Sequence, residues 1–214
     1  MKTKLFPNLI IDDFLDNPDE LINLSKNLPY YYDRFYRWPG KRTRPLYEID
    51  NDLFVFIGNK ILFNYGFKKF KYHAEANFQI VNKNYSAGWI HRDDPMILTS
   101  IIYLNKEGNI NSGTSLYKNK ENFEKEQYFN ITECKFDFFK NMAENDNYTI
   151  TEKEKNALKS QHNLFEETLN VKNLYNRLFS FDSNLWHSAN EYDIVMEESR
   201  LTLVYFFTNI DIES

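Results

Sequence analysis

Two histidines of this sequence stand where side chains could do chemistry together. His91 and Asp93 lie two residues apart in Gly88-Trp89-Ile90-His91-Arg92-Asp93-Asp94-Pro95. On an extended chain, residues i and i+2 point to the same face. An imidazole and a carboxylate would then be presented together, as two ligands of one divalent metal. The third ligand has to come from elsewhere. His187, in Leu185-Trp186-His187-Ser188, is the best candidate, because it follows a strand and a tight turn as His91 does. Two histidines and one carboxylate form a facial triad, which leaves the opposite metal face open and suits non-haem Fe(II). A lone His-x-Asp is a weak signal, so the surrounding pattern has to carry the assignment. The remaining histidines read differently: His73 as an ordinary strand residue, His162 as a solvated residue on the charged side of a helix.

Arg200 is the second chemical feature. It opens the apolar run Leu201-Thr202-Leu203-Val204-Tyr205-Phe206-Phe207. An arginine at the root of a core strand needs an anionic partner. Its planar fork suits a carboxylate, and Thr202 faces the same side. A buried structural ion pair is the alternative reading. A third feature is the aromatic and basic stretch from Tyr30 to Tyr47, in which Tyr36, Trp38, Arg42 and Arg44 could form a pocket wall. They would offer rings and cations to a peptide, an amino acid or another anionic metabolite.

These residues need elements to position them. A strand is expected over Phe6 to Phe14, then a helix capped by Asn17, with Pro18 in its first turn and Leu21, Leu24 and Leu28 on one face. A second helix is expected from Asp52 to Tyr65, closed by Gly66. From Tyr72 the period becomes two: His73, Glu75, Asn77, Gln79 and Val81 share one face of a half-buried strand. Further strands are expected over Ile97–Leu104, Gly113–Lys118, Leu174–Phe181, Leu185–Ala189 and Arg200–Thr208. Between them, residues from about 119 to 171 read as an insertion with its own helices, one running from Thr151 to Leu169 and packing outside the sheets. Many short strands, N-terminal helices and one helical insertion predict a mainly β fold, a jelly roll with flanking helices, within one domain spanning 1–214.

Composition narrows the function classes. The chain has 26 Lys+Arg against 31 Asp+Glu, a net charge of −5, so the basic excess usual in nucleic-acid binders is absent. Aromatics make up 17% of residues, which favours β-structure and a ring-lined cavity. The single cysteine, Cys134, rules out an internal disulfide and any Cys-rich metal site. No apolar run reaches the length of a membrane span, and the first residues lack a signal-peptide core. The expectation is a cytoplasmic protein.

His91-Arg92-Asp93, Ser100 to Asn105, Gly113 to Tyr117, Phe179 to Asp182, His187-Ser188 and Arg200-Leu201-Thr202 occur in an order and spacing that resembles the Fe(II)/2-oxoglutarate-dependent oxygenases, nearest their prolyl-4-hydroxylase-like branch. Pro39-Gly40-Lys41-Arg42-Thr43 also resembles a small, poorly characterised group assigned to that superfamily. The resemblance implies a double-stranded β-helix of the cupin-like jelly-roll type. It implies Fe(II) held by His91, Asp93 and His187, and 2-oxoglutarate held by Arg200 with help from Thr202. The tyrosine that assists in prolyl hydroxylases is replaced here by Ile102, so Gln79, Asn77 or Tyr103 could serve instead. The stretch from His187 to Arg200 spans 13 positions, longer than usual in that branch. An aspartate at position 93 favours hydroxylation over halogenation. The expected reaction uses molecular oxygen and a peptide, protein or small-metabolite substrate. The competing readings are a non-redox metal-binding module and a structural protein with a degenerate site.

Overall fold

The structure, a computed structural model, describes residues 6–212 apart from 83–84, 86–87, 108, 146–147, 191 and 193–198. It begins with β1 (Leu9–Ile11) and α1 (Pro18–Lys26), whose Pro18 sits in the first turn with Asp19 and Glu20. Acidic residues there face the positive end of the helix dipole. Two short strands follow, β2 (Tyr31–Tyr32) and β3 (Lys41–Arg42), then α2 (Leu46–Ile49) and α3 (Asn51–Asn64). Asp50 caps α3 by accepting from the Leu53 amide at 2.9 Å, and Gly66 takes φ +81° just beyond its end.

The long strand β4 (Phe70–Val81) leads into the His91 segment, then β5 (Leu98–Tyr103) and β6 (Thr114–Asn119). Three helices come next: α4 (Lys125–Thr132), α5 (Cys134–Glu144) and α6 (Glu152–His162). The chain closes with β7 (Phe165–Val171), β8 (Leu178–Asp182), β9 (Trp186–Ala189) and β10 (Arg200–Ile212). A seven-stranded antiparallel sheet has the order β1-β8-β5-β10-β4-β3-β2, and a three-stranded sheet the order β7-β6-β9. This is the jelly roll with flanking helices that the sequence predicts, and the double-stranded β-helix that the resemblance implies.

Alternation along the central strands sorts side chains between two layers. Leu203, Tyr205 and Phe207 of β10 join Phe78, Leu98 and Ile102 against Phe54, Ile57, Ile61 and Leu62 of α3. The opposite face carries Tyr103, Ile101, Phe179, Phe181 and Val204, which pack on Leu116 and Val171 between the sheets. Register carries this inner face across strands: Thr202 stands opposite both Gln79 and Tyr103, and Gln79 opposite Arg42. Arg42, Gln79, Thr202 and Tyr103 therefore form one row on the cavity side.

The insertion differs from its expected form. α6 ends at His162, and Leu169 lies in β7, an edge strand paired with β6 through Leu116↔Leu169. Phe165 and Leu169, four apart, fit either period, and cross-strand pairing decides for the strand. The start was legible: Thr151 and Glu154 form a reciprocal capping box. Helices α4–α6 pack outside the sheets, joining Phe138, Phe139, Met142 and Leu158 to Val81, Tyr85 and Trp89. Among the described residues no helix is long and apolar enough to cross a membrane.

Candidate metal centre and its pocket

His91 and His187 are bound to each other through the backbone. Each amide donates to the other's carbonyl at 2.9 Å, an isolated antiparallel bridge that adds the His91 segment to the edge at β9. The rings consequently lie 4.4 Å apart. Each Nδ1 lies near a backbone carbonyl, that of Trp89 at 2.7 Å for His91 and that of Leu185 at 2.9 Å for His187. A proton on Nδ1 donated to those carbonyls leaves both Nε2 atoms as free donors for a metal.

Asp93 completes the set. Its carboxylate lies 3.4 Å from His91 Nε2 and 3.2 Å from His187 Nε2. One ligand atom from each residue falls within 4.8 Å of the other two. Thr99 Oγ1 donates to Asp93 Oδ2 at 2.7 Å, and Ser183 Oγ lies 2.8 Å from Thr99 Oγ1. Since Thr99 uses its proton on Asp93, Ser183 is the donor in that second contact. The Asp93 amide donates to the Ser183 carbonyl at 3.1 Å. Burial pushes the Asp93 carboxyl up, but the two imidazoles outweigh it and hold the group well below its ordinary range. Burial pulls both histidines down; it prevails at His91, whereas the Asp93 charge prevails at His187 and raises it.

The insertion secures the segment before His91. Gln161 is fully buried, accepts from the Ile90 amide and donates to the Ile90 carbonyl, both at 2.9 Å, and Tyr128 donates to the same carbonyl at 3.0 Å. His162, expected as a solvated residue, is instead half-buried. Its Nε2 bonds the Gly88 carbonyl at 2.9 Å and its ring packs edge-on against Tyr117. The end of α6 abuts residues 88–91, and that is why the polar side of the helix faces inward there. Nothing in the local pattern could have shown this, because the contacts span over 70 residues.

One pocket joins the triad to Arg200, Gln79, Trp38 and Arg42, with about 660 Å³ of space partly open to solvent. Arg200 is buried, donates from Nε to the Ser112 carbonyl at 2.7 Å and lies 3.5 Å from Thr114 Oγ1. The sequence called for an anionic partner; among the described residues no carboxylate lies within 4.0 Å of this guanidinium. Thr202 is fully buried and its Oγ1 has no partner. Tyr103 donates to Thr114 Oγ1 at 2.9 Å, and Arg200 lies 5.4 Å from its ring centroid. It therefore supports Arg200 from behind. Ile102 points the other way, into the helix-side core.

Gln79 lines the pocket but its amide is engaged by the Pro39 carbonyl at 2.8 Å. Asn77 is committed to the Thr43 carbonyl and stays outside the lining. Arg42 stacks on Trp38 at 4.3 Å and Phe206 at 5.1 Å. Arg44 does not belong with them: it is exposed on the surface, 3.6 Å from Glu48. Two residues past β3, after the Thr43 amide has bonded the Phe78 carbonyl at 3.0 Å, the chain has left the sheet and turned toward α2. The lining residues that the sequence reading missed include Lys135 and Phe139 from α5, and Tyr192, buried between His187 and Arg200. Most of that last stretch lies outside the described residues.

No curated protein matches the chain in sequence. Residues 2–207 match DUF6445, a family of unknown function. The chain belongs to that family. Solved structures relate this DUF6445 member to a known fold. HygX from Streptomyces hygroscopicus, with nickel and 2-oxoglutarate bound, is 12% identical with a TM-score of 0.59, over 94% of this chain and 82% of that one. An oxidoreductase of the 2OG-Fe(II) oxygenase family from Burkholderia pseudomallei is 11% identical with a TM-score of 0.52, over 94% and 83%. A prolyl 4-hydroxylase from Phytophthora capsici is 12% identical with a TM-score of 0.50, over 97% and 59%. The shared feature is the fold of the 2-oxoglutarate oxygenases.

Proposed function

We propose that this DUF6445 member is an Fe(II)- and 2-oxoglutarate-dependent oxygenase that hydroxylates a peptide or protein side chain or a small metabolite. One observation carries the reading: two histidine Nε2 atoms and a carboxylate oxygen converge within 4.8 Å in the pocket that Arg200 also lines. The donor set fits the metal, since imidazole and carboxylate suit Fe(II) and a three-ligand face leaves positions open. The Arg200 end fits the cosubstrate, since a buried guanidinium without a carboxylate and an unpartnered Thr202 hydroxyl both await an acceptor.

His91, Asp93 and His187 would hold Fe(II), and Arg200 with Thr202 would hold the distal carboxylate of 2-oxoglutarate. Metal and cosubstrate together supply the oxidation by molecular oxygen; the protein binds, orients and shields. The Trp89 and Leu185 carbonyls fix both imidazole orientations, while Thr99 and Ser183 fix the carboxylate. Tyr103 and Thr114 hold the Arg200 fork in place. Trp89 and Phe139, both buried, keep water from that part of the pocket. With Asp93 supplying a carboxylate ligand to the metal, no place would be left for a halide, which favours hydroxylation.

The test is anaerobic addition of Fe(II) and then 2-oxoglutarate. A visible charge-transfer band that forms only with both, followed by succinate release in air, is the expected result. Metal uptake with no 2-oxoglutarate binding would instead leave a metal-binding module.

A further inference from the structure

Arg42 and Lys135 remain after the metal and cosubstrate have been assigned. Lys135 reaches the pocket from α5, and Arg42 from β3. Neither ammonium nor guanidinium has a carboxylate within 4.0 Å among the described residues. Arg37, the other cation of the lining, is already neutralised by Asp33 through a two-pronged pair at 2.8 and 2.9 Å. The charges of the loaded pocket can be followed one by one. A dication and the two carboxylates of 2-oxoglutarate cancel, and Asp93 offsets Arg200. Arg42 and Lys135 are left uncompensated in a half-buried, ring-lined space, an arrangement that is costly unless an anion enters.

Hydrogen bonding points the same way. Among residues lining this pocket, the buried side-chain atoms lacking a partner are Arg42 Nε, Trp38 Nε1 and Trp89 Nε1. All three are donors. A pocket wall with surplus donors and no surplus acceptor is complementary to an oxyanion. The rings of Trp38 and Phe206 flank Arg42. They hold the guanidinium by stacking, which leaves its edge free for a ligand.

We propose that the substrate of this pocket is a small anion, carrying a carboxylate or phosphate that Arg42 and Lys135 bind separately from the Arg200 site. The proposal rests on the oxygenase reading and narrows its substrate class. Burial pulls Lys135 down to about 8 and Arg42 to about 10, so Arg42 is cationic at neutral pH and Lys135 predominantly so.

The experiment titrates the full chain, loaded with Ni(II) and 2-oxoglutarate, with benzoate, phenyl phosphate and the neutral benzamide, read by calorimetry. One or both anions should bind at least about tenfold more tightly than benzamide, as charged hydrogen bonds require. Benzoate alone would assign a carboxylate and phenyl phosphate alone a phosphate. Arg42→Gln and Lys135→Met should each weaken the anion about tenfold or more while 2-oxoglutarate affinity stays within twofold. Equal binding of benzamide, no binding of either anion at millimolar concentration, or unchanged anion affinity in both variants would overturn the proposal. So would anions that compete with 2-oxoglutarate and variants that lose 2-oxoglutarate, since the pair would then belong to the cosubstrate. The wild-type comparison needs no variant to fold. If 2-oxoglutarate never binds but the anion still depends on Arg42 and Lys135, the oxygenase reading falls and the anion site stands.

Discussion

The Arg200 end of the pocket and its Arg42–Lys135 wall carry the same charge but are built differently. Arg200 begins β10, the strand paired on both sides by β4 and β5, and its fork is tied to Ser112 and Thr114 before any ligand arrives. Arg42 stands on a two-residue strand near the sheet edge, and Lys135 on a helix of the insertion. One cation is fixed by sheet register; the other two are fixed by stacking on rings and by helix packing. On the proposed function, a pocket built this way would keep its chemistry on the rigid half and leave the adaptable half to choose the substrate.

The sharpest way to break that division is at the metal. Asp93→Ala removes one of the three proposed ligands and the only carboxylate among them. Fe(II) affinity, measured anaerobically by calorimetry, should fall by more than about 100-fold, the upper range for losing a mere supporting contact. Unchanged affinity would show that the three donors converge without forming a site.

Arg200→Lys comes next. It keeps the charge and loses the fork, so 2-oxoglutarate should bind about ten- to a hundredfold more weakly, or about 1.5–3 kcal/mol. Fe(II) affinity should stay unchanged on the same sample. A joint fall of both would make Arg200 a structural residue of the roll and erase the contrast between the two ends.

Lys135→Met probes the adaptable half through stability. Burial lowers this lysine to about 8 in the folded protein from an unfolded value of 10.5. Between those values the unfolded chain holds a proton that the folded chain has released, so wild-type stability rises with pH across that window. Below about 8 the folded protein carries the full cost of the half-buried charge. Met removes it, and the ligand-free variant should melt a few degrees higher at pH 7, for a gain of about 1 kcal/mol. The advantage should shrink as pH climbs past 8 toward 10.5. A variant that melts lower at pH 7 would mean that the lysine stem contributes more by packing than its charge costs.

The same division explains what could be read from the sequence. His187 on β9 and Arg200 on β10 were legible because strand alternation fixes which way they point, and the bridge between His91 and His187 brings the His91-x-Asp93 segment, which is not itself a strand, beside them. Thr202 followed from the same period, whereas Tyr103 was one of three substitutes offered for the tyrosine that the resemblance implies. Lys135, Gln161 and His162 were not legible, since each reaches the site from a helix whose local pattern describes only its own surface. Position 169 failed for a related reason: Leu158, Phe165 and Leu169 satisfy a helical spacing, and only the pairing of Leu169 with Leu116 decides for β7. Local periodicity reports an element's faces but not what those faces meet.

Arg42 and Arg44 give the smallest and most specific test. They sit two residues apart in one basic run, and the sequence offered both as pocket residues. Gly40 shows how the chain separates them: its φ is +71°, and a Cβ there would lie 2.0 Å from the Ile80 carbonyl oxygen, so the chain is pressed against β4 as β3 begins. By position 44 pairing has ended, and Arg44 lies in solvent beside Glu48 at 3.6 Å. An exposed pair of this kind contributes between about 0 and 1 kcal/mol. Arg44→Ala should therefore lower stability by less than about 0.5 kcal/mol, within the range of ordinary surface substitutions. It should leave Fe(II), 2-oxoglutarate and anion affinities as they are, whereas Arg42→Ala should cost anion affinity alone. A fall in anion affinity in Arg44→Ala equal to that in Arg42→Ala would point to the summed charge of the basic stretch. Raising the salt concentration would then abolish both effects together, since a long-range field is screened and a half-buried contact much less so.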